Sequence, residues 1–387
     1  MTDRLQQMLR DEADGLTVPP APAGAVLEAG RRRRRRRTGA AAAAAGALTV
    51  AVAGAAVGLG HLDRGGPSPD TASDPAAGSG AVFSVGRTVY LDDGAASARV
   101  DDTVVKSLYY TSAGVLVRHG DDPASDGGGP QRFSLVRPDG SVSPVSVETE
   151  ETAHATDPAQ PYLAWAEATP DGAEVVVHDV DTDVEVARVP VPGRFSWSPP
   201  PVSLDGDTVY VGGGRTTWAV DWRSGEVVDS GLDTLFPQVA GGRTVTTDRE
   251  GSSVVDAATG RVLLAVPTED GVFVDVQLSP DGRYALLVSE PDVMTTLGSA
   301  AGEVSVVDVG TGATVGLPPE IGQGLPGWTP EGEPFVVTGD TLVACSPVDG
   351  TCAETALEIE DLPDPEGGTP ARDYSQELRL GGRTYES

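Results

Sequence analysis

Four carboxylates stand at alternate positions, Asp179, Asp181, Asp183 and Glu185 in DVDTDVE, within this 387-residue chain. A calcium loop of the EF-hand kind begins this way, but it needs glycine at its sixth place and a carboxylate at its twelfth. Here those places hold Val184 and Pro190. The run therefore reads first as a turn, and as a rim site only if two carboxylates share a strand face. The four histidines, His61, His119, His154 and His178, show neither HxH nor HExxH spacing, so no zinc site is expected. No nucleophile elbow, Walker loop or dinucleotide fingerprint stands in a strand-turn-helix context. Gly212-Gly213-Gly214 falls between two strand-like runs and reads as a tight connection rather than a phosphate cradle. No catalytic residue, cofactor or metal is assigned.

The two cysteines give a sharper expectation. In ACSPVDGTCAE, a hairpin turn at Pro347-Val348-Asp349-Gly350 sets Ser346 opposite Thr351 and Cys345 opposite Cys352. Directly opposed residues bring their Cβ atoms to about 4.5–5.5 Å, within reach of a disulfide after modest adjustment. A structural disulfide between Cys345 and Cys352 is expected, pinning the last complete repeat.

The elements that would position these residues recur along the chain. Short runs rich in Val, Tyr and Thr (TVYL, GVLV, EVVV, TVYV, ALLV) read as strands. A hairpin signature repeats as VDWRSGEV, VDAATGRV and VDVGTGAT, degenerates in HDVDTDVEV, and is matched by SLVRPDGSV and ACSPVDGTC. Its turn positions are 140, 183, 225, 260, 312 and 350, with an earlier match at Gly94. That spacing suits one four-stranded blade per repeat. A second turn, Ser/Thr-x-Asp/Glu-Gly, occurs as TPDG, SLDG, SPDG and TPEG, in which Pro fixes one dihedral and Gly accepts a positive φ.

On these residues the chain resembles a TolB-like or WD-repeat-like β-propeller over roughly residues 81–360. The resemblance implies an all-β fold of seven blades, with six as the alternative. WD-type Gly-His and Trp-Asp dipeptides are largely missing, which favours the TolB-like form. Closing a seventh blade requires strands from both chain ends, drawn from Phe83–Val100 and Asp373–Ser387. Trp197 and Trp328, each before Ser/Thr-Pro, suggest equivalent inter-blade packing positions. Alternation of Trp218, Val220 and Trp222 suggests a core face. The loops Gly120–Gly129 and Pro291–Gly302 interrupt the repeat and read as rim insertions, the second carrying Met294 and Leu297.

One stretch speaks to location. Arg31, Arg32, Arg33, Arg34, Arg35, Arg36 and Arg37 abut Gly39–Gly60, 22 residues with 11 Ala and no charge. As a helix this run spans roughly 33 Å at about 1.5 Å per residue, enough for a bilayer core, and basic residues stay on the cytoplasmic side. The expected layout is a cytoplasmic tail over 1–37, a transmembrane helix over 38–62, a flexible linker over 63–80, an extracytoplasmic propeller over 81–362, and a C-terminal tail or closing strands over 363–387. A cleaved signal peptide is the alternative. Residues 1–62 carry nine Arg against five acids, and the remaining 325 hold 18 basic against 53 acidic side chains. So acidic an outer region disfavours nucleic acid and anionic headgroups.

The combination of one membrane span with an outer propeller resembles a group of actinobacterial membrane proteins. It implies a non-enzymatic binding or scaffolding module that takes a protein or cell-envelope ligand at its face. A sensor whose cytoplasmic tail contacts a signalling partner is the second reading. A propeller-type hydrolase or lyase is the third.

Overall fold

The computed structural model describes residues 80–383 apart from 103, 122–128, 151, 215, 249–250, 268–272, 291–302, 323–325, 339, 358 and 360–377. The polyarginine run, the apolar run and most of the linker lie outside the described residues. Among the described residues no helix is long and apolar enough to cross a membrane.

The regular secondary structure of the described residues is almost wholly strand. Blade 1 takes β1 (Phe83–Val85), β2 (Thr88–Leu91) and β3 (Ala96–Arg99). Blade 2 follows with β4 (Val104–Thr111), β5 (Gly114–Gly120), β6 (Gln131–Val136) and β7 (Val142–Thr149), and blade 3 with β8 (His154–Thr156), β9 (Tyr162–Thr169), β10 (Gly172–Asp179) and β11 (Val184–Pro192). Blade 4 has β12 (Val202–Asp205), β13 (Thr208–Gly212), β14 (Thr217–Asp221) and β15 (Glu226–Asp229). Blade 5 has β16 (Val239–Ala240), β17 (Arg243–Thr247), β18 (Gly251–Asp256) and β19 (Val262–Pro267). Blade 6 has β20 (Phe273–Leu278), β21 (Tyr284–Glu290), β22 (Val304–Asp308) and β23 (Thr314–Leu317), and blade 7 has β24 (Gly327–Trp328), β25 (Pro334–Thr338), β26 (Thr341–Cys345) and β27 (Cys352–Ala356). The last strand, β28 (Leu378–Leu380), returns to β1, so all seven sheets are four-stranded and antiparallel, six of them as meanders. Residues 83–99 thus supply three strands of blade 1, and the C-terminal stretch supplies the fourth. Pairing the two chain ends in one sheet removes the edges that an open ring would expose.

Packing follows from this closure. Seven apolar clusters are buried, one at each contact between neighbouring blades: Val89, Val117 and Val136 between blades 1 and 2, for example, and Phe83, Phe335 and Leu342 between blades 7 and 1. Each sheet therefore buries both faces, which is why its central strands read as continuous Val-rich runs rather than clean alternation.

The repeat signature is explained by local hydrogen bonds. Asp221, Asp256 and Asp308 each accept, through the side chain, the N–H three residues on, at 2.9, 2.8 and 2.9 Å. The turn glycines Gly225, Gly260 and Gly312 have φ of 78°, 67° and 72°, a region where a side chain is strained. Every turn position read from the sequence, including Gly94, joins the last two strands of its blade. The second turn motif is less uniform. SLDG, SPDG and TPEG join the first two strands of blades 4, 6 and 7, whereas TPDG joins the second and third strands of blade 3. In blade 3 the first turn is instead Asp157-Pro158-Ala159-Gln160.

Candidate functional site

Among the described residues, polar side chains gather in several cavities. The first is an axial funnel with an empty volume of about 610 Å³, walled by residues from or just beyond the first strands β4, β8, β12 and β16, by Pro280 after β20, and by Gly382 and Arg383 after β28. Two carboxylates from neighbouring blades share its wall. Asp157 accepts the backbone N–H of Ala159 at 2.9 Å and that of Gly206, in blade 4, at 2.8 Å. Asp205 repeats the reach one blade further, accepting the N–H of Gly242 at 2.9 Å. Burial pushes the Asp205 carboxyl above the usual carboxylate range; the Gly242 N–H opposes this and the Asp157 charge adds to it. Thr156, Gln238, Tyr109, Ser203 and the cationic Arg383 are also part of the polar lining. The arrangement offers acceptors to a cationic or hydrogen-bond-donating group.

The second is an outer cleft between blades 1 and 2 with an empty volume of about 1220 Å³, continuous with solvent. The strand β3 has four residues where β7 has eight, so blade 1 leaves part of blade 2 uncovered. At the cleft's floor lie Asp102, His119 and Ser134. A carboxylate only accepts, so His119 Nδ1–H donates to Asp102 Oδ2 at 2.5 Å. Its Nε2 then accepts from the Ser134 hydroxyl at 2.9 Å. Arg132 donates to both oxygens of Asp102 at 2.8 and 2.9 Å and to Asp121 at 2.7 Å. Burial lowers the His119 pKa, against the charge and hydrogen bond of Asp102, which raise it.

The other candidates separate. Asp179 Oδ1 accepts the N–H groups of Asp181 and Thr182, Asp181 pairs with Arg137, Asp183 accepts from Ser146, and Glu185 pairs with Arg188. Each carboxylate of that run thus has its own partner in or beside the turn. Burial works against the Asp183 charge, and the hydrogen bonds from Ser146 and His178 outweigh it, holding its carboxyl below the usual range. His154 is buried against Phe133, with ring centroids 4.8 Å apart, and its Nε2 meets Thr149 Oγ1 at 2.8 Å; burial, then the Arg118 charge, holds its pKa well below the ordinary value. Gly212 closes β13 so tightly that a Cβ there would run into the Leu235 carbonyl oxygen, in keeping with a connection.

Cys345 and Cys352 face each other across β26 and β27 and form the disulfide, with Cα atoms 4.0 Å apart. Val220 and Trp222 are core, with Trp218 packed against them. The two Ser/Thr-Pro tryptophans are not equivalent. Trp328 is buried in the first strand of blade 7, whereas Trp197 lies in the loop before β12, 55% exposed, edge-on to Phe236 at 5.4 Å. Residues 122–128 and 291–302 of the two insertions lie outside the described residues; both interrupt the link from second to third strand, in blades 2 and 6.

The closed ring of seven four-stranded sheets defines a seven-bladed β-propeller. No family model matches the chain, and no curated protein does. Among solved structures it is similar to hydrazine synthase of Kuenenia stuttgartiensis, at 18% identity over 63% of this chain and 77% of that chain, with a TM-score of 0.41. A likeness so distant says nothing of activity. The propeller class rests on the strand order.

Proposed function

We propose that the chain is a single-pass membrane protein whose seven-bladed ectodomain is a binding or scaffolding module, taking a protein or cell-envelope component at the axial mouth. The observation that supports this most is the pairing of Asp157 and Asp205 on one funnel wall. Both are fixed by backbone N–H groups of the next blade, and burial raises the Asp205 carboxyl above its ordinary range, with the Asp157 charge adding to it. The orientation rests on Arg31–Arg37 abutting Gly39–Gly60, with residues 1–37 in the cytoplasm.

Crosslinking in intact cells followed by mass spectrometry tests the reading. The full chain should capture a defined partner through residues bordering the funnel, and the D157N/D205N chain should lose it. Equal capture by both chains would overturn the funnel as the binding site. Protease added to whole cells should remove everything after about residue 62 and leave a membrane-retained N-terminal fragment. A soluble mature chain beginning near Gly54 would establish the signal-peptide alternative.

A further inference from the structure

The outer cleft carries an arrangement that the binding reading does not use. A serine becomes a nucleophile when a neutral imidazole lies within hydrogen-bond reach of its hydroxyl and a third group fixes the imidazole's tautomer. Ser134, His119 and Asp102 stand in that order, at 2.9 and 2.5 Å. Ser134 and His119 come from the paired strands β6 and β5, so strand pairing sets their geometry, and Asp102 comes from the loop before β4. The bidentate grip of Arg132 on Asp102 holds the carboxylate in place. A brace for the blade would be served equally well by a sealed network. This one is nearly closed over, with His119 5% and Ser134 7% exposed, yet the cleft reaches it, and Ser134 is among the residues that line the open space.

We propose that Ser134 is a reactive nucleophile and that the cleft between blades 1 and 2 is an acyl-transfer site for esters with an apolar acyl group. Val142 and Pro144 lie opposite Val136 and Ser134 in the β6–β7 pairing and line the same cleft, offering the acyl chain an apolar wall. Arg99, on blade 1, also lines it and is the side chain assigned to a developing oxyanion, Arg132 being engaged by Asp102 and Asp121. In the first step Ser134 Oγ bonds to the ester carbonyl carbon while its proton passes to His119 Nε2. The carbon–alkoxy bond then breaks, and His119 returns that proton to the leaving alcohol. Water repeats the sequence on the acyl-serine, giving the carboxylic acid and free Ser134. Asp102 acts as a positioning residue through His119.

The full chain in detergent, treated with a fluorophosphonate probe and mapped by mass spectrometry, tests this. Ser134 should take one phosphonyl group with loss of fluoride. The full chain should hydrolyse p-nitrophenyl butyrate faster than the acetate, and S134A and H119Q should each lower that rate at least about a hundredfold. In D102N the rate at neutral pH should fall, and its inflection with pH should move lower, because the anion that favours the imidazolium is gone; a purely structural carboxylate would not move the inflection. The decisive reading is on the unmutated chain and does not depend on any variant folding. If a chain shown folded by its thermal melt leaves Ser134 unlabelled at saturating probe, or labels surface serines to the same extent, the proposal is overturned and the array is a brace.

Discussion

The hydroxyl of Tyr110, in blade 2, donates to the backbone carbonyl of Trp328, in blade 7, at 2.7 Å across 218 residues of sequence. Blade 1 lies between them in the ring, and the bond passes its inner edge. Trp328 N–H in turn donates to Gly381 O at 3.0 Å, and Gly381 N–H to Val82 O at 2.8 Å. Three blades and both chain ends are thus tied at one place. Burial raises the Tyr110 phenol well above its ordinary pKa, so the hydroxyl keeps its proton throughout the working range.

Replacing Tyr110 by Phe should therefore cost more than an average surface change. It strands a buried carbonyl, a loss of about 1–3 kcal/mol, and thermal unfolding should report a fall of several degrees. A melt unchanged by Y110F would show that the closure does not depend on this bond.

Removing residues 378–387 tests the same joint more severely. Blade 1 would keep three strands, Phe83 would lose its β28 partner Leu380, and an unpaired inner edge would face solvent. The truncated chain should melt lower than Y110F and aggregate on heating. Equal melting of truncated and full chains would mean that the ring closes without β28.

How much of this was legible in the sequence depends on the range of the cause. The Asp and Gly of each last hairpin are visible because both act within five residues, through a side-chain acceptor and a positive φ. The cysteine pairing was legible for the same reason, since a four-residue turn fixes the register. The outer array was not. His119 is diagonal to Ser134 only because Val117 pairs with Ser134 in β5–β6, and the insertion at Gly120–Gly129 hides that register. Asp102 then arrives from a loop that no periodicity marks. Trp197 misled for a related reason: a local Ser-Pro context does not say whether a tryptophan begins an inner strand, as Trp328 does, or stands in the loop before one.

Titration should separate the funnel from the turns. The folded pKa of Asp205 is raised, so its charge penalises folding at neutral pH, and the penalty fades as pH falls through that value towards the unfolded one. D205N, which keeps an acceptor for Gly242 N–H, should melt higher than the parent at pH 7, with the difference shrinking near pH 4. Asp308 has the opposite sign. The Thr311 N–H holds its pKa down, so its contribution is present above the unfolded pKa and lost as pH falls through the folded one. D308N should melt lower at pH 7 and converge with the parent in acid. If both variants shift the same way at pH 7, these assignments are wrong.

The disulfide joins structure to location. Cys345 is fully buried in the core between blades 6 and 7, and Cys352 packs against the same cluster. The bond closes a short loop of sequence separation 7, for which chain entropy gives roughly 2–3 kcal/mol. At about 2–4 °C per kcal/mol for a domain of this order of size, C345S/C352S should lower the melting temperature by roughly 4–12 °C. Because the bond lies in one hairpin of blade 7, the loss should appear as a single shifted transition rather than a second one. Such bonds persist outside the reducing cytosol, so protein taken from its native host and alkylated before lysis should yield Cys345 linked to Cys352. Quantitative alkylation of both thiols in that sample would count against the extracytoplasmic placement of the propeller, while leaving its seven-bladed ring untouched.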